Sequence, residues 1–373
     1  MRIVFDATTL RHTANGVNNH IHHTLTTLLR IDRDNEYLVV LPSDTPERGL
    51  ERLGARVTIR TIRPRVRALW IQTALPALLR EWRADVLHAP CYLAPVTTRV
   101  PTVVTVHDMA SFLFPEKFVL AHRIVYGTLV PLSIRRAAAI ITVSNFTRME
   151  LRRLTDVPEE RVFVVYNAAD AVFSPSSNGV DPAAVRARYG IPERYLLFVG
   201  VLEPRKNVIG LLESFAAVRD RIPHSLVLAG RSGWQTRAVF AAIERLRLHD
   251  RVVRTDYVPP ADLVVIYRHA DGFVYPSFYE GFGMPVLEAM SCGVPVITSN
   301  RSALPEVTGD AAVLVAPEDR RALGEAMVRV VSDGRLRDDL RMRGLARARA
   351  FSWEESARAT LDVYRAAAAR GNR

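Results

Sequence analysis

Short apolar runs alternate along the chain with longer stretches in which apolar positions recur at helical spacing. That alternation is the pattern of parallel strands joined by helices in βαβ units. In the first half it predicts strands near 2–6, 36–41, 57–62, 85–88, 101–106, 138–143 and 161–166. Helices are predicted near 17–30, 70–81, 118–136 and 145–154. The theme restarts in the second half, with strands near 195–201, 225–229, 251–255, 272–275, 295–298 and 312–315. Helices there fall near 206–221, 235–247, 260–269, 285–291, 319–332, 335–349 and 353–369.

Between the halves, DAVFSPSSNGVDP at 170–182 combines Pro, Ser, Asn and Gly without periodicity and reads as a connection. The expected organisation is an N-terminal Rossmann-like domain over 1–172, a linker over 173–193, a C-terminal Rossmann-like domain over 194–352 and a last helix over 353–373. Two such α/β domains place ligands near strand C-termini, in a cleft.

Composition narrows the class. The chain has 373 residues, 49% of them hydrophobic, enough for two cores. No apolar run approaches the ~18 residues of a membrane span, and MRIVFDATTL reads as a first strand, not a signal peptide. Cys91 and Cys292, the only cysteines, lie far apart, which suits a reducing cytoplasm and no disulfide framework. The net charge of +11 suits anionic partners, and the basic residues are almost all Arg, with Lys only at 117 and 206. No zinc spacing or RNA-recognition signature accompanies that charge, so nucleic acid is not an expected partner.

The most informative stretch is EGFGMPVLE at 280–288. Pro285 is placed to open a helix and Gly293 to close it. Amides at such a start lack intrahelical acceptors and sit at the positive end of the helix dipole. Gly281, Phe282, Gly283 and Met284 therefore form a candidate phosphate cradle. Glu280 precedes it and Glu288 lies about one turn beyond. A nucleotide-sugar presents sugar, diphosphate and ribose in that same order. Arg205 and Lys206 follow a strand and are placed to open a helix, a poor position for cations unless an anion binds there.

Other candidates are less specific. His107, beside Asp108, follows the strand PTVVTV, where open α/β sheets put function. Gly16 lies in the first strand-to-helix loop and allows close approach of a ligand to the backbone. That loop lacks the G-x-G-x-x-G fingerprint of a nicotinamide site. Gly230 and Gly233 follow a strand and either bound a base pocket or form a plain loop. Asp32, Arg33 and Asp34 fall in a polar turn without metal-site context. His20, His22 and His23 lie on a helix without a joining Cys or carboxylate, so zinc is not expected. The run containing Arg56, Arg60, Arg63, Arg65 and Arg67 is either a solvated surface or a docking patch for anionic lipid.

The E-x7-E stretch, together with FVGVLEPRKN at 198–207, TVHDMASFLFP at 105–115, TANGVNNHI at 13–21 and FSWEESA at 351–357, resembles glycosyltransferase family 4 from about residue 1 to 365. That family comprises retaining nucleotide-sugar glycosyltransferases, including bacterial mannosyl- and glucosyltransferases. The resemblance implies the GT-B fold, with the first domain for the acceptor, the second for the donor, and a final helix crossing back onto the first. It implies catalytic roles for His107, Arg205, Lys206 and Glu280, with His107 and Glu280 at the donor sugar and Glu288 at the ribose. It implies metal-independent hexose transfer, from GDP-mannose first and a UDP-hexose such as UDP-glucose second, to a saccharide or lipid-linked acceptor in cell-surface polysaccharide synthesis. A cytoplasmic enzyme, peripheral on the inner membrane face, is the expected setting. A nucleotide-sugar epimerase of the same shape and a non-catalytic nucleotide-sugar binding protein are the alternatives.

Overall fold

A computed structural model describes residues 1–10, 16–44, 49–54, 56–113, 125–176, 179–233 and 236–371. Parts of the expected 118–136 helix, the 13–21 loop, the 105–115 motif and the 170–182 connection lie outside them. The described chain divides into two compact units: Met1–Asn167 with Ser352–Arg373, and Ala168–Phe351.

The N-terminal unit is built on β1 (Arg2–Asp6), β2 (Glu36–Pro42), β3 (Arg56–Ile62), β4 (Val86–Ala89), β5 (Thr102–Val106), β6 (Ala139–Thr142) and β7 (Val162–Val164). They form a sheet in the order β3-β2-β1-β4-β5-β6-β7, parallel at every pairing. Side chains alternate between two cores. Ile3 and Phe5 join one with Leu25, Leu28 and Tyr364; Val4 joins the other with Ile71, Leu75 and Ile134. Both faces are thus covered over the interior strands, which is why β1, β4, β5 and β6 are mostly apolar, whereas the edge strand β3 alternates. The helix Trp353–Gly371 supplies Ala357, Leu361, Val363, Tyr364 and Ala367 to the first of these cores.

The C-terminal unit repeats the plan with β8 (Tyr195–Val199), β9 (Ser225–Ala229), β10 (Val252–Asp256), β11 (Gly272–Tyr275), β12 (Val296–Ser299) and β13 (Ala312–Val315), ordered β10-β9-β8-β11-β12-β13 and again parallel. Each unit is an open doubly wound sheet whose strand order reverses once: between β1 and β4, and between β8 and β11. Such reversals leave a crevice beyond the strand C-termini.

Three segments differ from expectation. The stretch expected as linker, 173–193, contains the helix Pro182–Tyr189. Its signals are local: Asp181 caps Ala183 N at 2.9 Å, Pro182 takes the first turn, and Gly190 ends it at φ 65°. Arg188 and Tyr189 then anchor it to Asp262. The 206–221 helix runs only over Val208–Val218, because Asn207 adopts φ 58° and donates to Pro317 O at 2.7 Å. Asn tolerates this left-handed backbone. Of the 118–136 helix, the described part is a wide π turn, Val125–Leu129, followed by Val130–Arg136.

Candidate functional site

The reversal in the C-terminal unit is where the sequence candidates converge. Beyond β8 the chain makes a tight turn, Pro204–Lys206, so Arg205 and Lys206 sit ahead of the helix and not in its first turn. Beyond β11 comes the stretch through Ser277 and Glu280. Phe278 N donates to Arg205 O at 2.9 Å, and Arg205 Nη1 to Tyr279 O at 3.0 Å, which stitches the two loops together.

Glu280 and Lys206 are both buried, at 7% and 8% exposure, so neither is a solvated surface charge. Lys206 Nζ donates to Glu280 Oε1 at 2.5 Å and to the Tyr275 hydroxyl at 2.7 Å. Ser277 Oγ also donates to Oε1, at 2.7 Å. Oε2 faces Arg205 Nη1 at 3.6 Å, beyond hydrogen-bond reach, and keeps acceptor capacity for a hydroxyl. Burial pushes the Glu280 carboxyl up, but Lys206 and Arg205 outweigh it and hold the group at about 2. Burial and the neighbouring Arg205 lower Lys206, with Glu280 opposing. The cluster is therefore an ionised pair with a second cation beside it.

Past this cluster the chain turns through Gly281, Phe282 and Gly283 into the helix Met284–Ser291. Gly283 has φ 109°, and a Cβ there would lie 2.6 Å from Leu304 Cδ2, so only glycine fits. The Phe282 ring packs edge-on against Phe351 in the core. Glu288 lies on this helix at 7% exposure and accepts from the Tyr267 hydroxyl at 3.0 Å. Burial, opposed by that hydrogen bond and reinforced by Asp170, pushes it up to about 7. The two glutamates thus differ: one is held ionised, the other is poised to change charge near neutrality.

Gly230, at the end of β9, has a reason within its own unit. At φ 148° its Cβ would lie 2.0 Å from Gly200 O, where the ends of β9 and β8 approach. Gly233 is likewise crowded, 2.6 Å from Val201 Cγ1.

In the N-terminal unit, Gly16 is the first residue of the helix Gly16–Ile31, and a Cβ there would meet nothing within 4 Å. His107 follows β5 and is buried; its Nε2 donates to Pro90 O at 2.8 Å. The neutral ring then presents Nδ1 as an acceptor. Burial lowers its pKa, with the Pro90 bond and Asp108 opposing. Its ring meets His20 at 4.7 Å and Tyr92 at 5.7 Å. His20 Nδ1 bonds Asn167 Oδ1 at 2.8 Å, and burial with His107 keeps it neutral as well. Asp32 serves its turn, accepting from Asp34 N, Asn35 and Tyr37. Among the described residues no group of three or more His, Cys, Asp or Glu is placed to hold a metal ion.

Three supporting residues escape the sequence reading. Tyr275 and Ser277 hold Glu280, but a tyrosine ending an apolar strand carries no functional mark. Asp6, fully buried at the end of β1, accepts from Arg67 Nη2 at 3.0 Å and from Thr8. Arg67 is accordingly not part of a basic surface run. Arg56 and Arg60 also have partners, Glu36 and Glu81.

Two doubly wound parallel-sheet units, with charged residues gathered where the second reverses its strand order, define the GT-B class of fold. Comparison with known proteins agrees. The family model described as Glycosyltransferase Family 4 matches residues 14–173, and that described as Glycosyl transferases group 1 matches 181–347. O-antigen chain mannosyltransferase B of Escherichia coli is 36% identical over 291 residues, covering 77% of this chain and 76% of that protein. A D-inositol 3-phosphate glycosyltransferase of Segniliparus rotundus is 30% identical over 330 residues, covering 77% and 67%. Among solved structures, sucrose-phosphate synthase from Thermosynechococcus elongatus superposes with a TM-score of 0.75 at 22% identity, covering 98% of each chain. HepE of Anabaena, in complex with UDP and glucose, gives 0.73 at 20% identity over 97% and 98%. The chain belongs to glycosyltransferase family 4 and is a glycosyltransferase. The epimerase and the non-catalytic binding protein are set aside. No helix among the described residues is long and apolar enough to cross a membrane.

Proposed function

We propose that this enzyme transfers a hexose, mannose first among candidates, from a nucleoside-diphosphate sugar to an acceptor hydroxyl with retention of configuration, in the synthesis of a cell-surface polysaccharide. The observation that carries this reading is the buried Lys206–Glu280 pair with Arg205 beside it at the β8/β11 reversal. Lys206 and Arg205 are assigned to the diphosphate, whose leaving-group charge grows in the transition state. Glu280 Oε2 is assigned to hydroxyls of the transferred sugar, the amides at Gly281–Met284 to phosphate oxygens, and Glu288 to the ribose. Gly230 is assigned to the edge of the base pocket. His107 offers a neutral acceptor toward the reacting sugar, and Gly16 an open backbone approach. With two cations assigned to the leaving group, the route needs neither metal nor other cofactor.

The mannosyltransferase relative supports mannose and hence GDP-mannose; the UDP and glucose held by HepE support a UDP-hexose as the second donor. The assay is incubation with labelled GDP-mannose or UDP-glucose, with and without a saccharide or lipid-linked acceptor. Acceptor-dependent release of the nucleoside diphosphate with a new α-linked product supports the reading; release of neither nucleotide with any acceptor overturns it.

Peripheral docking to an anionic membrane on the cytoplasmic side belongs to the same proposal. Arg63 and Arg65 are exposed and have no ion-pair partner among the described residues, and Val66 and Leu69 beside them are 58% and 62% exposed. Basic heads flanking apolar side chains suit a lipid surface.

A further inference from the structure

We propose that the N-terminal unit carries a second anion site, a pocket for a phosphate-bearing group at the end of the sheet where β5 and β6 begin, opposite the end that His107 follows. A cavity of about 400 Å³ opens where the chain enters β5 and β6, at Pro101, Thr102 and Ala138. Arg99, Arg136, Arg161 and Arg370 border it, and among the described residues no Asp or Glu lines it. His107 follows the other end of β5. At ~3.3 Å per residue, the five residues of that strand separate the two places by about 16 Å.

What sets these arginines apart is that four of them border one cavity without a carboxylate among its described lining residues. Arg221, Arg343 and Arg358 each lie against a carboxylate, of Glu325, Asp339 and Glu355. The four around the cavity have no ion pair among the described residues. Three are instead held by main-chain oxygens. Arg136 donates to Val96 O, Arg161 to Arg135 O at 3.4 Å, and Arg370 to Ala138 O at 3.0 Å and to Glu160 O. These bonds occupy one or two of the five donors on each guanidinium. The remaining donors are available for the forked contacts that phosphate oxygens accept. Like charges converging on a concave surface repel, and a bound anion relieves that repulsion. The volume lies at the lower end of small-molecule pockets, roughly 300–1,000 Å³. The phosphate could be carried by a small soluble anion or by a lipid headgroup; the recognising chemistry is the same.

The test is calorimetric titration of the full chain with pyrophosphate at fixed ionic strength. Two binding events are expected, one in each unit. Arg99→Gln with Arg136→Gln should weaken one event at least tenfold, Arg99→Lys with Arg136→Lys should hold it within a few fold, and Lys206→Ala should leave it in place. If the glutamine pair fails to fold by circular dichroism, Arg99→Gln alone carries the test with an expected loss of threefold or more. Its side chain makes no hydrogen bond among the described residues. Equal affinities in wild type and glutamine variants overturn the proposal, as does a single event that disappears with Lys206→Ala. Phosphatidylglycerol vesicles that displace pyrophosphate, when phosphatidylcholine vesicles do not, identify a headgroup as the ligand. Failure of both to displace identifies a soluble anion.

Discussion

The two units share one winding, and each reverses strand order between its first and fourth strands, yet what they place there differs in kind. The C-terminal unit gathers ionised groups: Glu280 held at about 2 by Lys206 and Arg205. The N-terminal unit has one buried ion pair at the end of β1, Asp6 with Arg67, and adds imidazoles that burial keeps neutral: His107, His20, and His88, which burial and His107 lower to about 3. A common sheet thus supplies only the crevice; the loops beyond its strands decide which side chains line it.

The sharpest way to break this contrast is Lys206→Ala. It leaves Glu280 buried without its nearest cation, a loss of ~3–5 kcal/mol in denaturant unfolding, and should cut turnover by at least ~10²-fold. A folded variant with the wild-type rate would show that the charged cluster is only structural. Glu288 tests the same unit through pH. Its pKa is raised from 4.5 to about 7, so the folded state favours the protonated acid. Its stabilising contribution is whole below pH 4.5 and is lost as pH climbs through about 7. If Glu288 receives the ribose hydroxyls as proposed, its ionised form is the better acceptor, so donor affinity should rise by up to ~tenfold per pH unit below about 7 and then level off. Glu288→Gln should abolish both slopes, read by thermal melts and donor titrations across pH.

In the N-terminal unit, His107→Gln should cost only ~1–2 kcal/mol of stability, the worth of its bond to Pro90. Because burial holds that ring neutral, wild-type activity should show no inflection from His107 near its ordinary pKa of 6.5. An inflection there that vanished in the variant would erase the distinction between the units. The smallest effect on folding belongs to Arg63→Gln with Arg65→Gln: stability within ~0.5 kcal/mol, but weaker partition onto anionic vesicles by roughly 1 kcal/mol per residue. Equal binding to neutral and anionic vesicles at low salt would remove the membrane from the proposal.

The sheets were legible because buried parallel strands leave continuous apolar runs, and β9, β11 and β13 keep their sequence-predicted bounds. Glu280 and Glu288 were legible because glycines and a proline mark a turn into a helix. Lys206 was legible as a cation, but not its partner: no periodicity reveals that residues 206 and 280 meet. That contact depends on β8 and β11 being neighbours. Asp6 and Arg67 were hidden for the same reason, one as the end of a strand and the other inside a basic run. The Asn207 break was missed because its side-chain bond goes to Pro317, far along the chain.

The helix Trp353–Gly371 has a consequence for biosynthesis. Residues that complete the core around Ile3 and Phe5 leave the ribosome after 168–351, which form their own unit from contiguous chain. Domains commonly mature in the order they are translated. Here the later-translated half can close first, while the earlier one waits, with apolar surface uncovered, for Leu361 and Tyr364 to emerge.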